Sequence, residues 1–198
     1  MYLLVETIRI KNGVPENLRW HQDRYERSCR TFYKTSPKIF IEEELNIPAE
    51  FSEGIVKCRF LYNKDSVKTE FQHYSARPIN SLKLVEDNGI EYSLKFTDRT
   101  AINNLLKSKK ECEDILIIKE GFITDTSIAN IVFFDGKKWI TPADPLLKGT
   151  ARERLLNENI ISTAEITEND IKQFSHFKLI NAMLEFDVQE MKDISCIK

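Results

Sequence analysis

An excess of charge of one sign is missing from these 198 residues: 29 Lys plus Arg face 31 Asp plus Glu, a formal net charge of −2. A general nucleic-acid binder needs surplus basic groups to neutralise phosphates, so that class is set aside, while a local basic pocket for a small anion is not. Cysteine is sparse and scattered. Cys29, Cys58, Cys112 and Cys196 form no CxxC pair, which argues against a zinc knuckle or a compact disulfide framework and for reduced thiols in a cytoplasm. No apolar run approaches the length needed to cross a bilayer. The opening MYLLVETIRIKNG lacks the basic start, apolar run and small-residue cleavage site of a secretory signal. Internal repeats and low-complexity tracts are absent too. His73 and His176 have no second ligand candidate at useful spacing, so no metal site is expected. What remains is a soluble, cytoplasmic protein, with no nucleic-acid or membrane partner, long enough for one large domain or two small ones with a real core.

The chain then reads as alternating short elements. Tyr2–Ile10 is strand-like, Asn12-Gly13 marks a turn, and a helix runs from about Asn17 to Tyr33 with Leu18, His21, Tyr25, Ser28 and Phe32 near one face. A short helix over Ile41–Leu45 and two strands, Gly54–Tyr62 and Val67–Tyr74, follow, the strands joined through Asn63-Lys64-Asp65. Arg77-Pro78-Ile79-Asn80 reads as a connection. Beyond it, Glu91–Phe96 is strand-like and Arg99–Lys109 helical. Asp114–Ile118, Phe122–Thr124 and Ile128–Phe134 are apolar strands, with a turn at Gly121, and Asp135-Gly136 signals a hairpin into Trp139–Thr141. Thr150-Ala-Arg-Glu153 fits a capping box opening a helix to about Asn157. Thr167 or Asn169 caps another short helix, and Phe177–Asn181 returns as a strand. The pattern predicts an α+β class with two lobes: residues 1–78, small and N-terminal, and residues 83–198, larger and β-rich.

Three features carry possible chemistry. In the strand Ile55–Tyr62, Val56, Cys58, Phe60 and Tyr62 share the apolar face, and Arg59 lies on the other with Lys57, Ile55 and Leu61. There it is either solvated or a clamp for phosphate or carboxylate. Lys95 lies opposite Tyr92, Leu94 and Phe96. It is either a solvated lysine or, if enclosed, an amine able to form a Schiff base. Gly149-Thr150-Ala151-Arg152 is either an ordinary helix start or an anion site made from free N–H groups and the positive end of the helix dipole.

Taken together and in order, these residues resemble the class IV pyridoxal-phosphate (PLP) enzymes, a family that includes branched-chain and D-amino-acid aminotransferases and 4-amino-4-deoxychorismate lyase. The match is carried by Gly121-Phe-Ile-Thr-Asp125-Thr-Ser-Ile-Ala-Asn130-Ile-Val-Phe, then Thr141-Pro142, Leu147-Lys-Gly149-Thr150-Ala151-Arg152 and Leu94-Lys95-Phe-Thr-Asp-Arg99. Glu6-Thr7-Ile8-Arg9 and His21-Gln-Asp-Arg24 match its "ET-x-R" and "H-x-x-R" signatures. The resemblance covers nearly the whole chain and implies a fold type IV architecture with the PLP site at the junction of the lobes. It implies Lys95 as the Schiff-base lysine, Arg59 on the cofactor phosphate with the backbone N–H groups of Thr150 and Ala151, and Asp125 facing the pyridine nitrogen. Asn181 falls where relatives place a further polar phosphate contact. His21 is expected in a structural hydrogen bond, and Arg9 and Arg77 are candidate anchors for a substrate carboxylate. A homodimer acting on a small amino substrate is also implied.

Two departures stand out. The family usually has Glu where this chain has Asp125, one methylene shorter. Relatives also carry a further strand and a glycine-rich segment before "ET-x-R", so the amino terminus is expected to be shortened. Leu-Ile-Asn181-Ala-Met is similar to the lyase pattern rather than the "GTA" of aminotransferases. Thr100 stands where many aminotransferases have Tyr, and Thr7 aligns with a lyase threonine near the reacting group. The resemblance therefore implies a lyase forming 4-aminobenzoate and pyruvate on the folate route, with Thr7 or Lys95 as proton donor. The alternatives are a class IV aminotransferase acting on branched-chain or D-amino acids and a non-catalytic protein of the same fold.

Overall fold

The computed structural model describes residues 2–198 and divides them into two units. One holds the chain up to Ala76 together with Leu94–Asp98; the other holds Arg77–Ser93 and Arg99–Lys198. The Lys95 segment thus groups with the first unit rather than with residues 83–198.

In the first unit, β1 (Leu4–Lys11) turns at Asn12-Gly13 into β2 (Val14–Pro15). Both turn residues have positive φ, 49° and 76°, the geometry a two-residue Asn-Gly hairpin requires. Helix α1 (Leu18–Ser28) and the short α2 (Ile41–Glu44) lead to β3 (Ile55–Tyr62) and β4 (Val67–His73). The sheet order is β2-β1-β3-β4. Strands β1 and β3 pair antiparallel over eight residues, from Leu4↔Tyr62 to Lys11↔Ile55. Period-two alternation therefore puts Leu4, Ile8, Ile10, Val56, Cys58, Phe60 and Tyr62 on one face, where they pack with Tyr25, Cys29 and Ile41 as the core of the unit.

The helix expected to reach Tyr33 does so, but Cys29–Tyr33 is a π turn closed by Lys34 in the left-handed region. Thr31 Oγ1 donates back to the Arg27 carbonyl at 2.8 Å, and Phe32 packs edge-on against Phe96 with ring centroids 5.5 Å apart. The widened turn rotates the buried face, so Cys29 takes the inner place and Phe32 stays exposed.

The second unit contains β5 (Leu82–Glu86), α3 (Thr100–Leu106), β6 (Asp114–Lys119), β7 (Phe122–Thr126), β8 (Asn130–Phe134), β9 (Trp139–Pro142), α4 (Thr150–Asn157), β10 (Ile161–Ala164), β11 (His176–Ile180) and β12 (Lys192–Asp193). The strands run in the order β10-β9-β8-β7-β6-β5, with β11 also on β8 and β12 on β11. The core gathers Leu82, Leu116, Ile123, Ile131, Phe133, Phe177 and Leu179.

Three expectations are corrected. Glu91–Phe96 is not a strand: only the isolated bridge Leu4↔Phe96 forms. Two cores divide its apolar residues, Tyr92 packing with Ile90 and Ile102, and Leu94 and Phe96 packing with the β1–β3 core, so no continuous ladder develops. Strand β5, absent from the sequence reading, pairs in parallel with β6 and exchanges backbone hydrogen bonds with Lys198. Such distant partners leave no local signature. The Thr150 capping box does not form: Gly149 is the N-cap and Thr150 the first helical residue. A capping box does form at Thr167–Asp170, where the Thr167 N–H donates to Asp170 Oδ2 at 2.9 Å.

Candidate functional site

Alternation along β1 aims Glu6 into the apolar face between Leu4 and Ile8, where it is fully buried. A carboxylate there needs donors on every side. Helix α1 supplies them one turn apart: His21 Nδ1 donates to Oε2 at 2.7 Å, Arg24 Nε to Oε1 at 2.9 Å and Arg24 Nη2 to Oε2 at 2.5 Å. Burial alone would raise the Glu6 pKa, but the Arg24 charge and the hydrogen bonds from His21 and Arg24 hold it down at about 2. Burial lowers the His21 pKa against the pull of Glu6, with the Arg24 and Lys95 charges acting in the same direction as burial. Glu6 of "ET-x-R" and His21 and Arg24 of "H-x-x-R" thus form one buried ionic cluster pinning α1 to β1. His21 has the structural hydrogen bond expected of it. A carboxylate alternating into an otherwise apolar strand face was the signal for this cluster.

The opposite face of the same sheet carries Thr7 and Arg59 as direct cross-strand partners, with Glu70 next in line. Arg59 Nη1 donates to Glu70 Oε2 at 2.7 Å and is 42% exposed. Lys95 is half-buried, and its carbonyl accepts from the Val5 N–H at 3.0 Å. On the next pair along, the Thr97 N–H donates to the Leu3 carbonyl at 2.8 Å. Backbone bonds on both sides therefore fix Lys95 to β1, two residues from Thr7. Arg9 is buried in an ion pair with Glu16, and Arg77 is exposed.

In the second unit, Asp125 lies next to the end of β7 and pairs with Asn130 at the start of β8. Its Oδ1 accepts from Asn130 Nδ2 at 2.7 Å, and its Oδ2 from the Leu147 N–H at 2.9 Å. Asn130 Nδ2 also donates to the Leu147 carbonyl at 2.9 Å. Burial raises the Asp125 pKa to about 7, opposed by the Leu147 and Asn130 hydrogen bonds and by the Arg152 charge. Three residues after Leu147, α4 begins at Thr150 and Ala151, both buried, with no side chain capping it, so its first N–H groups have no intrahelical acceptor. Arg152 is buried, donating to the Pro142 and Ala143 carbonyls at 2.8 and 3.1 Å; its Nε makes no hydrogen bond. Asn181 follows β11. Its Oδ1 accepts from the Met183 N–H at 2.9 Å, and its Nδ2 donates to the Ile128 carbonyl at 3.3 Å. It braces the turn 126–129 that links Asp125 to Asn130. Asn130 and Gly149 stand in the same motifs, but only the folded structure marks them as site residues.

Among the described residues no group of three or more His, Cys, Asp or Glu is placed to hold a metal ion, and no helix is long and apolar enough to cross a membrane. Taken unit by unit, the donors suit the parts of a phosphorylated aromatic aldehyde: in the first unit an arginine that can meet a phosphate and a lysine amine that can meet a carbonyl, in the second an uncapped helix start for a phosphate and a buried carboxylate for a ring nitrogen.

The model of the amino-transferase class IV family matches residues 3–190. The chain belongs to that family. An uncharacterized protein of Haemophilus influenzae is 42% identical over 185 residues, spanning 92% of this chain and 98% of that one. A crystal structure from Haemophilus somnus 129PT, provisionally named a 4-amino-4-deoxychorismate lyase, is 39% identical with a TM-score of 0.86, covering 92% of this chain and 97% of its own. A Mesorhizobium loti structure, provisionally named an amino-acid aminotransferase, shares the fold at 18% identity and a TM-score of 0.78, covering 100% of this chain and 99% of its own. The class IV protein therefore has the two-lobed α+β fold of fold type IV, with a small N-terminal lobe and a larger β-rich one. It is a PLP-dependent enzyme of lyase or aminotransferase type.

Proposed function

We propose that this class IV enzyme is a 4-amino-4-deoxychorismate lyase, releasing pyruvate and forming 4-aminobenzoate. The observation that carries this reading is 39% identity over nearly the full length of both chains to a structure bearing that provisional name. Thr100 in place of the usual aminotransferase Tyr, and the Asn181-Ala-Met run, support it. The cofactor, when bound, supplies an electron sink that acidifies the C–H bond beside the substrate amine.

The residues that would hold it are Lys95 at its carbonyl, Arg59 and the Thr150 and Ala151 N–H groups at its phosphate, and Asp125 at its ring nitrogen, with Asn181 as a further polar contact. Lys95 acts as base for the proton on the carbon bearing the substrate amine. As that C–H bond breaks, the ether C–O bond breaks, and the enolpyruvate oxygen takes a proton from Thr7 or from Lys95. The ring becomes aromatic and the enol becomes pyruvate. Asp125 starts from a raised pKa, so a cationic ring nitrogen beside it favours its ionised form. Arg9, committed to Glu16, is a poorer anchor for a substrate carboxylate than the exposed Arg77. On this reading the protein works as a homodimer in the cytoplasm, on the folate route.

The test is direct assay of the purified protein, supplied with PLP and 4-amino-4-deoxychorismate and no 2-oxo acid. Equimolar 4-aminobenzoate and pyruvate are expected. Turnover only when 2-oxoglutarate and an amino donor are added would replace the lyase by an aminotransferase.

A further inference from the structure

Asp125 and the start of α4 are joined through one side chain. Asn130 is buried, and its Nδ2 bridges Asp125 Oδ1 at 2.7 Å and the Leu147 carbonyl at 2.9 Å. The Leu147 N–H returns to Asp125 Oδ2 at 2.9 Å, closing a ring of three hydrogen bonds. On its other side Asn130 Oδ1 lies where a side chain at position 149 would stand: a Cβ built on Gly149 comes within 2.0 Å of it. Gly149 has φ −70°, so backbone strain does not require glycine there. Only the close approach of Asn130 does.

Resting on the PLP reading above, we propose that Asn130 and Gly149 are positioning residues that lock the first turn of α4 to the Asp125 carboxylate. The phosphate-facing amides and the carboxylate are thereby held at one separation. The need is chemical. Phosphate and ring nitrogen sit at opposite sides of a rigid aromatic ring, so contacts to both are strong together only if their spacing is fixed in advance. The Asp at position 125 sharpens that need, because its short side chain, bound at both oxygens, has little reach of its own. Asn130 acts through Asp125 and the helix start, and Gly149 acts through Asn130.

The experiment compares apo-protein carrying Gly149→Ala, Asn130→Ala or both, measuring affinity for PLP, for pyridoxal and for inorganic phosphate by equilibrium dialysis. Gly149→Ala is expected to weaken PLP and inorganic phosphate about tenfold or more and to change pyridoxal less than about twofold, because only the helix start is displaced. The double variant is expected to match Asn130→Ala alone, since removing the amide removes the clash; two independent sites would instead multiply their losses. If Gly149→Ala does not fold, the comparison of the double variant with Asn130→Ala stands alone. Unchanged PLP affinity in Gly149→Ala, equal losses for PLP and pyridoxal, or a double variant showing the product of the single losses overturns the lock. Failure of the PLP reading shows separately, as wild type that binds no PLP.

Discussion

Arg24 grips Glu6 with two nitrogens, Nε to Oε1 at 2.9 Å and Nη2 to Oε2 at 2.5 Å, inside the apolar face of a four-stranded sheet. Helix α1 has no side-chain N-cap, so this pair and the His21 bond are its polar anchor to β1. Arg24→Ala leaves a buried carboxylate with one partner fewer and is expected to cost about 3–5 kcal/mol. Urea unfolding of the apo-protein at pH 7 measures it. A loss under about 1 kcal/mol would mean the cluster carries little of the fold.

Asp125 sets a pH dependence of the opposite sense to Glu6. Its folded pKa, about 7, lies above the ordinary aspartate value of 3.8, so the folded state binds the proton more tightly. The resulting stabilisation is present below about pH 4 and is lost as pH rises towards 7. Because Glu6 and His21 favour higher pH over part of that window, the clean measurement is a difference. From pH 5 to pH 8 the apo wild type should lose at most about 3 kcal/mol relative to Asp125→Asn. Parallel pH profiles for the two proteins would contradict the burial argument.

Arg59 and Glu70 form a half-exposed pair, so Glu70→Ala should shift stability by less than about 1 kcal/mol. Arg59→Ala should be equally mild for folding. If Arg59 serves the cofactor phosphate, the same substitution weakens PLP about tenfold or more, the worth of one charge-assisted hydrogen bond. Fluorescence titration of the apo-protein separates the two effects. Equal PLP affinity in wild type and Arg59→Ala would leave Arg59 as a surface residue.

Local patterns made most of this legible. The alternation in Ile55–Tyr62 placed Cys58 and Phe60 inward and Arg59 outward, as the register with β1 shows. The Asp135-Gly136 turn and helix α3 were likewise written in short stretches. What escaped depends on distant partners. Strand β5 is defined by β6 and by Lys198, and Lys95 lies in a segment whose apolar residues serve two cores. At the site, Lys95, Asp125 and the α4 start were visible as motifs. The reason for Gly149 was not, because a 2.0 Å conflict with Asn130 exists only once β8 and the helix start are folded together. Thr150 misled for a related reason: its capping pattern was sound, but Gly149 holds the cap position.

Borohydride reduction of the PLP-loaded protein, followed by peptide mapping, tests the central claim most directly. The account predicts a single pyridoxyl adduct on the peptide containing Lys95, absent from Lys95→Ala together with the absorbance band of the bound cofactor. An adduct on another lysine, or none at saturating PLP, would contradict it.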